Sequence, residues 1–293
     1  MQKRIVLCFV LFTTALAAQA RQSQKPSFEV AMRTMPSPQQ YADARRFEAV
    51  SIKPFVSTGT PLMFPNAWTP FLPGGKFTHP VVSLKGLIAS AYSVRHPDMQ
   101  IVGLPPWGLT SLFSVEATPG EALKDISPEL QHAQVLLMLQ MMLADRFSLK
   151  IHVEERPADV YELRLAGVLK GMTQTTEGVA KPGLNPGLNA AIGDSSGRMI
   201  GNGTTLQGVA DGLVTFVGRP VVDKTGVSGY YNFDIRWTAE RAPGAPTATG
   251  LGVEGITLLM AEMRDQLGLR LVSAKGTQPI WVVDQAEKLN DRE

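Results

Sequence analysis

Gly193-Asp194-Ser195-Ser196-Gly197 has the G-x-S-x-G spacing that exposes a hydrolase serine on a sharp strand-to-helix turn. That chemistry needs a histidine farther along the chain, and the last histidine is His152. The trypsin-like order permits an upstream histidine but belongs to an all-β fold. Ser195 is therefore read as part of a Gly/Ser loop. Asp223-Lys224-Thr225-Gly226 is shared in part by two other chemistries, the phosphorylated aspartate of cation pumps and the Lys-Thr-Gly element of penicillin-binding enzymes. The first requires ATP and a membrane body. The second requires Ser-x-x-Lys, and no lysine here has a serine three residues before it. A turn accounts for the segment better. Val221-Val222 ends a strand, Asp223 accepts turn hydrogen bonds and Gly226 supplies a positive φ.

Metal and acid–base sets are equally sparse. His79, His96, His132 and His152 lack H-E-x-x-H spacing. No metal and no cofactor is expected. His152, Glu154 and Lys150 alternate along a strand and share its solvated face, with Leu149, Ile151 and Val153 opposite. Asp145 and Asp265 each end a helix and are read as structural turn residues. Met138, Met141 and Met142 stand at helical spacing beside Leu139 and Leu143 and belong to a core. The binding candidates are Phe64, Trp68 and Phe71, on a proline-stiffened loop with Gly74-Gly75, together with Trp107. Such aromatics either stack on sugar or peptide or close the core beneath them.

These residues need elements to hold them. Phe47 to Lys53 alternates as a strand and stops at Pro54. Ser83 caps a helix with Leu84, Leu87, Ile88, Ala91 and Tyr92 on one face. Strands are expected at 100–103 and 112–118, and a second helix from Pro128 to about Arg146. Strands at 148–154 and 159–166 are joined by a turn at Glu155-Arg156-Pro157. A Gly/Asn/Pro-rich linker covers 167–203. Then follow a helix at 205–217, strands at 219–223 and 230–238, a mobile connection at 240–253, a helix at 255–267 and strands at 268–274 and 279–285. The apolar pattern of the second run matches the first at an offset of 122 near Leu84/Leu206 and of 120 from Phe113/Phe233 onward. The expected class is α+β, two tandem pseudo-repeats with two helices each on a mainly antiparallel sheet.

Lys3-Arg4, the apolar run Ile5–Leu16 and Ala18-Gln19-Ala20 have the form of an export signal. Removing it lowers the basic residues from 28 to 26, equal to the 26 acids, and removes Cys8, the single cysteine. The remaining chain is neutral and thiol-free, which argues against nucleic acid as partner. No later run is long enough for a stable membrane span. At 44% hydrophobic and 18% charged residues, a globular body is expected. The divisions are 1–20 signal, 21–46 linker, 47–166 first lobe, 167–203 linker, 204–287 second lobe and 288–293 tail.

Six motifs carry a resemblance: Phe47-Glu48-x-x-Ser51-Ile52-Lys53-Pro54, Gly74-Gly75-Lys76-Phe77, Leu84-x-x-Leu87-Ile88-x-x-Ala91-Tyr92, Leu143-Ala144-Asp145-Arg146-Phe147, Arg219-Pro220-Val221-Val222-Asp223-Lys224-Thr225-Gly226 and Leu267-Gly268-Leu269. In these the chain resembles a large family of exported proteins of unknown function, expanded in soil Acidobacteria. That family is related to domains attached to membrane metallopeptidases of the β-lactam-sensor type. Ala166-Gly167-Val168-Leu169-Lys170 departs from its pattern. The resemblance implies a periplasmic or secreted location and no established activity. The expectation is a non-catalytic binding or interaction module for a cell-wall fragment, glycan, peptide or envelope protein. The alternatives are a cell-wall or polymer hydrolase using paired carboxylates, and a sensor partner of a membrane peptidase.

Overall fold

The computed structural model describes residues 46–56, 71–120, 123, 128–176, 188–192, 196–238 and 253–289. The export signal, the linker before Arg46, all but the last residue of the 240–253 connection and the end of the tail lie outside these residues. The fold is α+β. Strand β1 (Phe47–Pro54) leads to β2 (Phe77–Ser83), helix α1 (Leu84–Ala91), the short helix α2 (Pro97–Gln100) and β3 (Ile101–Val102). After them come α3 (Trp107–Thr110), β4 (Leu112–Pro119), the 20-residue α4 (Pro128–Phe147) and β5 (Lys150–Leu165). The rest is β6 (Thr173–Thr175), β7 (Leu188–Ile192), β8 (Ser196–Thr204), α5 (Leu206–Val217), β9 (Val221–Asp223), β10 (Tyr230–Thr238), α6 (Val253–Glu262) and β11 (Leu269–Gln285).

Helices α1 and α5 both start at a capping side chain, the first where Ser83 predicts it. Ser83 accepts a hydrogen bond from Gly86 N at 3.2 Å, and Thr205 accepts one from Gly208 N at 3.0 Å. Each satisfies an amide that the first helical turn leaves without a partner. Their apolar faces bury Leu84, Leu87, Ile88 and Ala91, and Leu206, Val209, Ala210, Leu213 and Val214.

Three expectations are corrected. The turn at Glu155-Arg156-Pro157 is absent, and β5 runs unbroken through it. The strands foreseen at 268–274 and 279–285 are likewise one strand, β11. Together they form an antiparallel ribbon in which Pro157 faces Thr277 and Pro279 faces Glu155. Proline is tolerated there because the outer strands do not reach that far: β3 pairs only at Trp281–Val282 and β9 only at Tyr161–Leu163. The 167–203 linker also contains sheet. β8 pairs with β10 and β7, and β6 pairs with β10, giving the order β6-β10-β8-β7. Its glycines serve close approach. Gly197 lies opposite Trp237 and Gly201 opposite Phe233. A Cβ on either would fall 2.0 Å or 2.2 Å from the facing ring.

The ribbon belongs to both halves of the chain. The first core, built on α1, α4 and the sheet β1-β4-β2, takes Leu149 from just before β5 and Trp281 and Val283 from the end of β11. The second, built on α5, α6 and β8–β10, takes Leu163 from the end of β5 and Leu269 from the start of β11. Each core is therefore completed by residues of a strand from the other half. The flanking pairs Ile101–Trp281 and Val221–Tyr161 stand 120 positions apart on the two sides of the ribbon.

Candidate functional site

Ser93 takes a left-handed φ of 51° just after α1 and turns the chain toward the second half. Arg95, His96 and α2 then face α5 and the middle of β11. A cavity of about 190 Å³ lies in this seam. The first half contributes Arg95, His96, Met99 and Gln100 to its lining. The second contributes Gln207, Asp211 and Val214 from α5, Pro220–Val222 around the start of β9, and Thr277–Pro279 with Trp281 from β11. Its base is apolar, with Val214 4%, Val221 6% and Trp281 4% exposed.

The polar groups are largely engaged with one another. Arg95 pairs with Asp211, whose other oxygen accepts from Gln207 Nε2 at 3.0 Å. Arg95 is 42% exposed, so the pair adds less than about 1 kcal/mol to stability. Its consequence is electrical, because the cavity carries one charge of each sign. Gln100 Oε1 accepts from His96 N at 3.1 Å, and Gln100 Nε2 donates to the Pro279 carbonyl at 3.4 Å.

His96 is the exception. Burial pushes its pKa below the usual value, opposed by Asp211, so the ring is neutral at pH 7. A hydrogen bond with the Asp211 backbone favours the protonated ring, which identifies the backbone partner as a carbonyl and the ring nitrogen as a donor. Nε2 is buried with no partner. The donor is then Nδ1, and the Nε2 acceptor is enclosed by protein rather than open to the cavity. An unsatisfied buried acceptor costs about 1–3 kcal/mol.

Of the binding residues expected from the sequence, Phe71 and Trp107 lie elsewhere. Phe71 packs on the first core, 5.4 Å from the Phe77 ring and 4.8 Å from the His132 ring. Trp107 stacks on Phe147 at 6.3 Å. Phe64, Trp68 and Ser195 lie outside the described residues. At the expected turn, Asp223 Oδ1 accepts from Thr225 N at 2.9 Å and Thr225 Oγ1 at 2.7 Å, and Gly226 has a φ of 70°. Asp145 pairs with Arg46 and Asp265 faces solvent, while the reversals themselves pass through Ser148 (φ 47°) and Gly268 (φ 71°). Of the other histidines, His79 is held at a pKa of about 4 by burial and His132 is lowered by burial. His152 lies on the surface between Asp284 and Glu154, at 2.8 Å and 3.0 Å. Among the described residues no group of three or more His, Cys, Asp or Glu is placed to hold a metal ion. No described helix is long and apolar enough to cross a membrane.

Every residue lining the seam falls within 85–286, the stretch matched by the model of a protein family of unknown function, DUF3738. The chain belongs to the DUF3738 family. No match was found among curated proteins or among solved structures.

The DUF3738 match starts just inside α1, beyond β1 and β2, and ends at the close of β11. Arg95, His96, Gln207, Asp211 and Trp281 were not singled out together by sequence reading. His96 appears there only among four histidines that lack metal-ligand spacing. What joins them is pairing between positions about 180 residues apart, such as Ile101 with Trp281. No local pattern encodes that.

Proposed function

We propose that this protein is an exported, non-catalytic binding module whose ligand occupies the seam cavity. One observation carries the reading: the cavity is built jointly by the two halves and floored by the buried Val214, Val221 and Trp281. The residues Lys3 to Ala20 support the exported location, periplasmic or secreted, and the family resemblance agrees. The recurrence of strand, helix, two strands, helix and strand in both halves supports an internally duplicated body. The paired-carboxylate hydrolase gains no support here. Among the described residues lining the cavity Asp211 supplies the one carboxylate, and Arg95 and Gln207 already engage it.

The test is thermal unfolding of the purified protein against cell-wall fragments, mono- and oligosaccharides, amino acids and short peptides. A ligand at 100 times its Kd adds about 2.7 kcal/mol, a shift of roughly 5 °C for a chain of this size. Thr277, exposed at the rim, is replaced by Trp to obstruct the cavity. A shift that disappears in Thr277→Trp supports the seam site. A shift that persists unchanged, or a flat response across the panel, overturns it in favour of a protein partner.

A further inference from the structure

The sheet β1-β4-β2 ends at β1, which pairs with β4 on one side and with no other described strand. A second groove, of about 810 Å³, lies against it. Five successive residues of the strand, Val50 to Pro54, line this groove, followed by Phe55 and Val56. Side chains alternate between the two faces of a strand, so a groove lined by every residue in turn follows the strand's edge rather than a face. That edge has backbone groups to offer. Phe55 N donates to the Leu112 carbonyl at 2.8 Å, which turns Phe55, and by the two-residue period Lys53 and Ser51, toward β4. Val50, Ile52 and Pro54 therefore direct their backbone groups outward. Pro54 has no N–H to direct, which suits that position. Val50 and Ile52 each present an N–H and a C=O, and among the described residues no hydrogen bond takes them up from the open side.

The charges around the edge are of one sign. Ile52 packs on the first core, so exposed Lys53 stands on the opposite face of the sheet. Arg146, in the last turn of α4, and exposed Lys288 line the groove from the core side. No carboxylate is among the described residues that line it. Glu116 is in register with Ser51 on β4, one strand back from the edge. An open edge invites pairing with another strand, and a lysine and a proline on it oppose indiscriminate pairing. A second copy of this chain would bring the same three cations to the contact. A strand carrying carboxylates meets attraction instead.

We propose that the open edge of β1 takes an extended acidic peptide segment as an added strand, with its backbone paired to Val50 and Ile52 and its carboxylates beside Lys53, Arg146 and Lys288. The outward N–H and C=O groups recur every second residue, about 7 Å apart, a spacing that a peptide backbone matches and an acyl chain does not. The groove's volume, about 810 Å³, falls within the range of roughly 300–1,000 Å³ found for ligand sites. It shares no lining residue with the seam cavity, and the proposal does not depend on what the seam binds.

The experiment selects binders to the purified protein from a library of heptapeptides randomised at every position. The selected peptides are then titrated in solution by fluorescence anisotropy. They are expected to be rich in aspartate, glutamate and β-branched residues, and to move the Val50 and Ile52 amide signals in NMR spectra. Methylating alternate amide nitrogens of a selected peptide removes the donors along one of its two edges. One methylation set is expected to weaken binding by about tenfold or more, and the other to change it little. Lys53→Glu combined with Lys288→Glu, checked for an unchanged melting temperature, should weaken the acidic peptide by about tenfold and admit its lysine-substituted counterpart. Thr277→Trp should leave peptide binding unchanged. An empty selection, a preference for basic or uncharged peptides, or equal tolerance of both methylation sets overturns the proposal. Sedimentation with phosphatidylglycerol vesicles in the absence of peptide binding overturns it in favour of an anionic membrane surface. Peptide binding abolished by Thr277→Trp overturns the edge site and places the peptide in the seam.

Discussion

His152 shows how far a residue's chemistry is set by what lies across the sheet. The sequence places Lys150, His152 and Glu154 on one solvated face, and the strand does so. Asp284, on the facing strand, is not visible at that level. Its hydrogen bond and that of Glu154 hold the His152 pKa above the usual value, and His152 with Arg156 holds Glu154 below its own. A raised histidine pKa favours the fold at low pH and loses that effect as pH rises through it. A lowered carboxylate pKa favours the fold above the carboxylate range and loses that effect in acid. The cluster therefore contributes between the two. His152→Gln should lower the melting temperature at about pH 5.5 and leave it unchanged at about pH 9. A deficit of the same size at both pH values would mean that packing, rather than charge, is what the substitution disturbs. The cavity histidine responds oppositely, since burial favours its neutral form.

Elements defined by local signals were legible, and elements defined by distant partners were not. Ser83 and Thr205 announce their helices because a cap and an apolar face lie within a dozen residues. Gly197 and Gly201 read as linker because the rings that require them, Trp237 and Phe233, lie forty and thirty-two positions away. Pro157 reads as a break for a related reason, since the open edge that excuses it exists only once the ribbon is paired. Gly201→Val tests the reading of β8. Its added side chain must displace the Phe233 ring, at a cost of about 2 kcal/mol and several degrees of melting temperature. Gly201→Val combined with Phe233→Leu should recover part of the loss. An undiminished melting temperature in Gly201→Val would reject the close approach.

At the scale of the molecule, the fold class was accessible from composition and pattern, and the relation of the halves was not. Two lobes with private sheets fit the sequence equally well. The structure instead completes each core with strand from the other half. Trp281 and Val283 enter the first core with 4% and 6% exposure, and Leu163 enters the second fully buried. Residues 46–176 expressed alone would leave β5 without β11 and open the first core along Leu149 and Phe147. Such a fragment should bind a hydrophobic dye and give poorly dispersed amide NMR signals, and adding residues 196–289 in trans should restore dispersion. A well-dispersed spectrum from the fragment alone would show that the first core closes without the ribbon.

The shared ribbon also sets a timetable. The chain is made from its N-terminus, and about a hundred residues separate the end of β5 from the start of β11. At ribosomal speed that interval is on the order of ten seconds. During it the first core has its helices and its small sheet but an open flank where Trp281 will sit. The half synthesised first is finished last, and its apolar flank must be kept from neighbouring chains until the final strand arrives.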